Sequence, residues 1–289
     1  MSTRILFVGL EVDDNAFHAC LISQHGSEEF EFCCKPTSGA LIRKLSKFQE
    51  QGWTLKVCYE ASYLGFSVCR ELQKAGFGCE VVAPALIPET RGPRVKTDKL
   101  DCRKLAQYYK VGLLVMVRVP EIEDEVVRDL LRSRSFLAEK LKSTKGHIIA
   151  LCRRMGINYR EVTKQKNYWT QKHVQWLKGE IANISSRALQ FNLHSLLTHV
   201  DQTLQQIRIY DEEIGAFSQI PRFQKKVRAL MCYRGIDKTT AMTIAAELAI
   251  YGDLTTPNGW FRLPEWISLN TALEVMKRNF ISPKWEILS

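Results

Sequence analysis

Residues 5–12 read Ile-Leu-Phe-Val-Gly-Leu-Glu-Val, an apolar run broken by one carboxylate, Glu11, with Arg4 in front and Asp13-Asp14 behind. A run of this length between charged ends reads as a buried strand. Working outward, Phe17–Ser23 and Glu29–Lys35 read as two further strands, separated by the turn-like Gln24–Ser27. Leu41, Ile42, Leu45 and Phe48 have helical spacing, and Gly52 lies just past their end. Leu55–Tyr59 is another strand, Leu64–Ala75 a helix closed by Gly76, and Cys79–Val82 a strand stopped by Pro84. Pro84–Thr97 holds three prolines and reads as a loop that delivers Asp98 to a helix over Asp98–Val111. Three strands, helix, strand, helix, strand, loop, helix is an order that suits an RNase H-like α/β domain, although other α/β folds share it.

Beyond this domain the periodicity changes. From Val127 to Met155, and again from Leu193 to Ile214, a heptad-like pattern recurs at alternating spacings of three and four, with polar intrusions at Arg134, Thr144 and Asp211 and no proline inside. Two such runs predict a long helical hairpin or coiled coil, or two amphipathic helices of an ordinary bundle. Between them Tyr168, Trp169 and Trp176 are interleaved with five Lys or Arg over 159–178. That mixture suggests nucleic-acid contact, but a solvated connector is the default reading. From Pro221 a third region begins. There Tyr233-Arg-Gly-Ile-Asp237 feeds an alanine-rich helix, like the second half of a helix–hairpin–helix. Gly235 and Lys238 are the phosphate-binding candidates at that turn, and Asp237 stands where a second glycine is usual. A plain helical corner fits as well.

The composition sets bounds. With 289 residues and 45% hydrophobic content, the chain can bury real cores. Its apolar runs are too short to cross a bilayer and the N-terminus shows no signal-peptide pattern, so a cytoplasmic location without a membrane partner is expected. Nine cysteines without a CxxC pair read as free thiols. A formal net charge of +10 fits a polyanionic partner, or merely a basic enzyme.

The chemistry lies in four carboxylates. Glu11 is near the end of the first strand, Glu60 closes the fourth, and Asp98 and Asp101 share one face at a helix start. Converging above a sheet edge, they would need cations to offset their mutual repulsion. Oxygen-only ligands select magnesium or manganese. Acids at strand and helix ends are also common without a metal, and Asp98 could simply cap its helix. Around the helix start, Arg91, Arg94, Lys96, Lys99, Arg103 and Lys104 form a candidate nucleic-acid contact.

FVGLEV (7–12), VCYEAS (57–62) and GPRVKTDKLDCRKLA (92–106) resemble the three acidic motifs of the IS110 family of DEDD insertion-sequence transposases. In that family they read G-hydrophobic-D-V, E followed by A, and K-T-D-x-x-D-A. Glu60, Asp98 and Asp101 match, whereas Glu11 stands in place of an aspartate and is one methylene longer. Arg234–Glu247 resembles the family's C-terminal P-G-I-G turn and alanine-rich helix. The resemblance implies a RuvC-like nuclease domain (1–117), a coiled-coil-like helical region (118–220) and a partial helical C-terminal domain (221–254). It further implies DNA recombination with magnesium on Glu11, Glu60, Asp98 and Asp101, a structured guide RNA, and homo-oligomers formed through the helical region.

The family's Y-S-S-G-like serine motif and its H-I-T-K-x-G-N element are not in this sequence. Residues 255–289 instead run in proline-interrupted pieces without a period. Codons begun at the third base of Thr255 allow a reading that contains YSSG and HITKMGN in order. Trp260, Trp266, Met276 and Trp285 there force Val, Asp, Glu and Gly. The tail therefore reads as out of frame, and the expected product is a transposase by descent that lacks its serine and is inactive as it stands. A junction-resolving nuclease and a non-catalytic nucleic-acid-binding remnant are the alternatives. An out-of-frame tail also leads one to expect exposed apolar surface on the helix around Met242–Leu248.

Overall fold

The computed structural model describes residues 4–88 and 98–248, with side chains throughout except at 98–100 and 248. The chain divides into two compact units, Met1–Val119 and Pro120–Ser289.

The first unit is built on β1 (Arg4–Val12), β2 (Phe17–Ser23), β3 (Glu29–Cys34), α1 (Ser38–Glu50), β4 (Trp53–Glu60), α2 (Ser67–Lys74), β5 (Gly78–Val82), α3 (Asp98–Lys110) and β6 (Met116–Val117). One mixed sheet runs β3-β2-β1-β4-β5-β6. β1 is antiparallel to β2 and parallel to β4, and β5 continues the parallel set. β6 is a short antiparallel edge strand on β5, pairing Val81 with Val117. Its two residues lie in the apolar run after α3, too short for a periodic signal.

Alternation along β1 gives the sheet its two faces. Leu6, Val8, Leu10 and Val12 enter the main core with Leu41 and Leu45 of α1 and Val68 and Leu72 of α2. Leu6, Val8 and Leu10 are fully buried, each contributing about 2 kcal/mol by its removal from water. Thr37 starts α1, its side-chain oxygen accepting the Ala40 amide. On the opposite face, Cys102 and Ala106 of α3 pack on Cys20 and Ile22 of β2, and Leu105 packs on Cys58 and Val82.

The second unit comprises α4 (Ile122–Arg154), α5 (Tyr159–Thr163), α6 (Gln171–Ala182), α7 (Arg187–Phe217), α8 (Pro221–Met231) and α9 (Lys238–Leu248). The two periodic runs are α4 and α7. They lie antiparallel: Val127 and Leu131 near the start of α4 share a core with Ile214 near the end of α7, and Arg134 binds Asp211. Further along, Leu141, Ile148 and Leu151 meet Leu193, Leu197 and Val200. Glu123, Asp124 and Glu125 in the first turn of α4, and Arg153 and Arg154 in the last, complement its dipole.

Two expectations are corrected here. The stretch between the long helices is not a solvated connector. It folds as α5 and α6 around buried His173, whose ring is met by Tyr159, Tyr168, Trp169 and Trp176. Likewise α9 does not expose an apolar face among its described side chains. Ala241, Met242, Ile244, Ala245 and Ala246 are buried in one core with Val127, Phe223 and Val227. The tail 255–289, and with it the out-of-frame reading, lies outside the described residues. No helix among the described residues is long and apolar enough to cross a membrane.

Candidate active site

Gly9 decides where the site can form. A Cβ at this position would stand 2.1 Å from the Cys102 carbonyl oxygen and 2.5 Å from the Ala106 nitrogen, both backbone atoms. Only a residue without a side chain lets α3 lie this close to β1. Phe7, two residues earlier on the same face, meets Tyr109 edge-on at 5.5 Å, and Tyr109 in turn donates its hydroxyl hydrogen to Glu80 of β5. Burial pushes the Tyr109 phenol well above its ordinary range, so it remains a donor. Helix α3 is thus fixed on β1, β2, β4 and β5, and the position of its first turn follows.

Glu11, two residues beyond Gly9, points to that same face. The last registered pair of β1 and β4 is Leu10 with Tyr59, so Glu11 and Glu60 follow side by side at the ends of two parallel strands. Asp101 comes down from the first turn of α3. Glu11, Glu60 and Asp101 line a single cleft of about 310 Å³, with Lys104, Ser62 and Leu105 among its other walls. All three carboxylates are half-buried. Asp98 lies one turn earlier on α3, but its side chain is outside the described residues, as is that of Lys99. Arg91, Arg94 and Lys96 are outside them altogether.

The donor set suits a hard divalent ion. Three half-buried carboxylates on one solvent-open cleft supply oxygen ligands only, and a cation would offset their mutual repulsion. Lys104 brings one fixed positive charge to the same cleft. Glu11, Glu60 and Asp101 share a cleft but stand further apart than direct ligand contact. Among the described residues the one group with its ligand atoms already within 4.8 Å of one another is a different one, Cys20, Glu29 and Glu31 on the same sheet face over β2 and β3. Its chemistry is different. Burial pushes the Cys20 thiol up to about 12, it donates to Glu29 at 3.6 Å, and Arg103 is ion-paired to Glu29. A protonated thiol and a carboxylate already bound to guanidinium make poor ligands.

The basic candidates are therefore divided. Lys104 faces the cleft, whereas Arg103 is held by Glu29. In the second unit, Gly235 takes φ +88°, the left-handed conformation the turn before α9 requires. Asp237 accepts the Thr240 amide at 2.7 Å, so a carboxylate already occupies one of the helix-start donors that a phosphate would use. Lys238 opens α9. Sequence reasoning missed Gly9 as the seat of α3 and Ser62 as a cleft wall. A lone glycine inside a strand was the available signal for the first.

The site is thus a cleft in which two strand-end carboxylates of a mixed sheet meet a third from the first turn of a helix. The chain belongs to the DEDD transposase family of IS110-type insertion sequences: residues 8–156, a little over half of it, match that family's sequence model, described as a transposase. Among its relatives, the transposase for insertion sequence element IS1533 of Leptospira borgpetersenii is 28% identical over 85% of this chain and 70% of its own length. A putative transposase, y4qE, of Sinorhizobium fredii is 27% identical over 88% of this chain, which spans 61% of that relative.

Proposed function

We propose that the chain acts on DNA through a magnesium- or manganese-binding cleft formed by Glu11, Glu60, Asp98 and Asp101, in an RNase H/RuvC-like domain. The single observation that carries this reading is the convergence of Glu11, Glu60 and Asp101 on one cleft. The sheet order β3-β2-β1-β4-β5, antiparallel in its first half and parallel in its second, supports the fold assignment. When bound, such ions supply Lewis-acid stabilisation of phosphodiester chemistry. The chain's own residues do the rest. Glu11 and Glu60, rooted in adjacent strands, hold their positions through the sheet ladder, and Asp101 is fixed through the seating of α3 on Gly9. Lys104 is placed to contact a phosphate oxygen entering the cleft.

DNA is the proposed substrate. A structured guide RNA, and homo-oligomers through the long α4–α7 pair, read as the coiled-coil-like region, are proposed partners. Ile122, Val126, Phe136 and Ile209, exposed along that pair, support self-association. Serine chemistry is not proposed for these 289 residues, because no Y-S-S-G-like motif occurs in them. The reaction expected of this chain alone is metal-dependent strand cleavage without a covalent protein–DNA adduct, as in a junction-resolving nuclease. Incubation with branched and linear DNA in magnesium tests it. Glu60→Gln and Asp101→Asn should each abolish cleavage, and cleavage that survives both substitutions would refute the assignment.

A further inference from the structure

Charge is distributed unevenly along this chain. Between residues 140 and 178 there are ten Lys or Arg and one Glu, nearly the whole of the +10 net charge of the protein. Every residue of that stretch is described, and it forms one end of the second unit: the C-terminal half of α4, then α5 and α6, which close the open end of the α4–α7 pair. Nine of the ten cations are exposed, Lys145 being half-buried. None of them is ion-paired to an acidic side chain among the described residues. Such a concentration of like charge repels itself and favours a bound polyanion.

Aromatic rings are set among these cations. Arg160 and Arg153 lie over Tyr168 at 4.8 and 5.8 Å, and Lys145 lies over Trp169 at 5.3 Å. Both rings are half-exposed. Trp169 has φ +65°, a left-handed conformation that a bulky residue adopts only when its surroundings impose it. Here they do: the Trp169 amide donates to Nδ1 of buried His173 at 3.1 Å, and the His173 amide donates to the Thr170 hydroxyl that starts α6. This end of the unit thus holds two half-exposed rings among cations that have no acidic partner among the described residues.

We propose that this basic, aromatic end of the second unit binds single-stranded nucleic acid, its Lys and Arg side chains on the phosphates and Tyr168 and Trp169 as stacking faces for unpaired bases. The proposal rests on the reading of the chain as a nucleic-acid-binding protein, but not on the carboxylate cleft. A duplex satisfies the charge but offers no free base faces. The preference for unpaired nucleotides therefore comes from the rings.

The test uses the full chain and strands of about 16 nucleotides, RNA and DNA in parallel, each with a central 2-aminopurine, beside a blunt duplex of equal length. Single strands should bind more tightly than the duplex and lose 2-aminopurine fluorescence on binding; the two sugars then show which polymer supplies the bases. Lys164→Gln/Lys166→Gln/Lys172→Gln, all at exposed positions, should weaken binding at least tenfold and reduce the salt slope of log K by about 2, at about 0.7 for each phosphate no longer neutralised. Tyr168→Leu should restore fluorescence while leaving most of the salt slope. Lys74→Gln, at an exposed position of the first unit outside the cleft, should bind like the parent. An unchanged slope in the triple variant, or equal affinity for duplex and single strand, overturns the proposal. Loss of binding in Lys104→Ala but not in the triple variant overturns it too, while leaving the nucleic-acid reading intact. No binding by the parent chain sinks both.

Discussion

Replacing Gly9 by alanine adds one methyl group at the contact that seats α3. The new carbon would lie 2.1 Å from Cys102 O and 2.5 Å from Ala106 N, and neither is a side-chain end that can swing away. Relief requires the helix to lift by about 1 Å, to reach an ordinary carbon–oxygen separation near 3.3 Å. Overpacking of this kind costs about 1–3 kcal/mol. Gly9 is paired in mid-strand with Cys20 and Cys58, so alanine brings no offsetting change in backbone strain. The lift also carries Asp101 away from Glu11 and Glu60. A displacement of about 1 Å at a reacting centre lowers rates about a hundredfold. Urea denaturation followed by circular dichroism, with manganese binding on the same samples, reads both effects. Gly146→Ala is the matched control: it lies within α4 with nothing inside 4 Å of the added carbon, and should gain up to about 1 kcal/mol. If Gly9→Ala leaves stability and manganese affinity as they were, the reasoning about how the cleft is positioned is wrong.

In the second unit Arg222 binds buried Asp124 through two hydrogen bonds of 2.6 Å, so Arg222→Met should cost about 2 kcal/mol in denaturant titration. An unchanged midpoint would contradict this. Burial lowers the His173 pKa from 6.5, and its Nδ1 accepts the Trp169 amide, so the folded protein holds the neutral ring. As pH falls through 6.5 the unfolded chain takes up a proton that the folded one refuses, and stability declines. The decline should be shallower in His173→Phe when melting is followed from about pH 7.5 to about 5.5, across the ordinary histidine range, and parallel curves would argue against it. Lys104→Ala should weaken DNA binding and lower its salt slope by about 1, without weakening metal binding; a slope that stays put removes Lys104 from the DNA path.

Much of the first unit was legible because its signals are local. The apolar run around Gly9, the bounded strands after it and the proline-rich stretch before Asp98 place the elements to within a few residues. β6 escaped because two residues carry no period, and its strand character comes from pairing with β5. The carboxylates were legible by position, at strand ends and in a helix turn. Their convergence was expected from the motifs, but what brings it about was not legible, because it depends on how close α3 comes to β1 at the Gly9 contact. The aromatic stretch 159–178 misled for a similar reason: its interleaved charges hide a core that closes around His173, a residue whose burial nothing in the local pattern announces. The alanine-rich α9 was expected to expose apolar surface because an out-of-frame tail would leave it without its partner segment, whereas Val127, Phe223 and Val227 pack against it.

The decisive question is whether Glu11, Glu60 and Asp101 hold a divalent ion together. Manganese titration followed by electron paramagnetic resonance, on the parent chain and on Glu11→Gln, Glu60→Gln and Asp101→Asn, measures this without requiring DNA or turnover. Saturable binding, weakened at least tenfold by each substitution, as expected when one of a few charged ligands is removed, is the predicted result. Manganese affinity that is the same in all four proteins would contradict it.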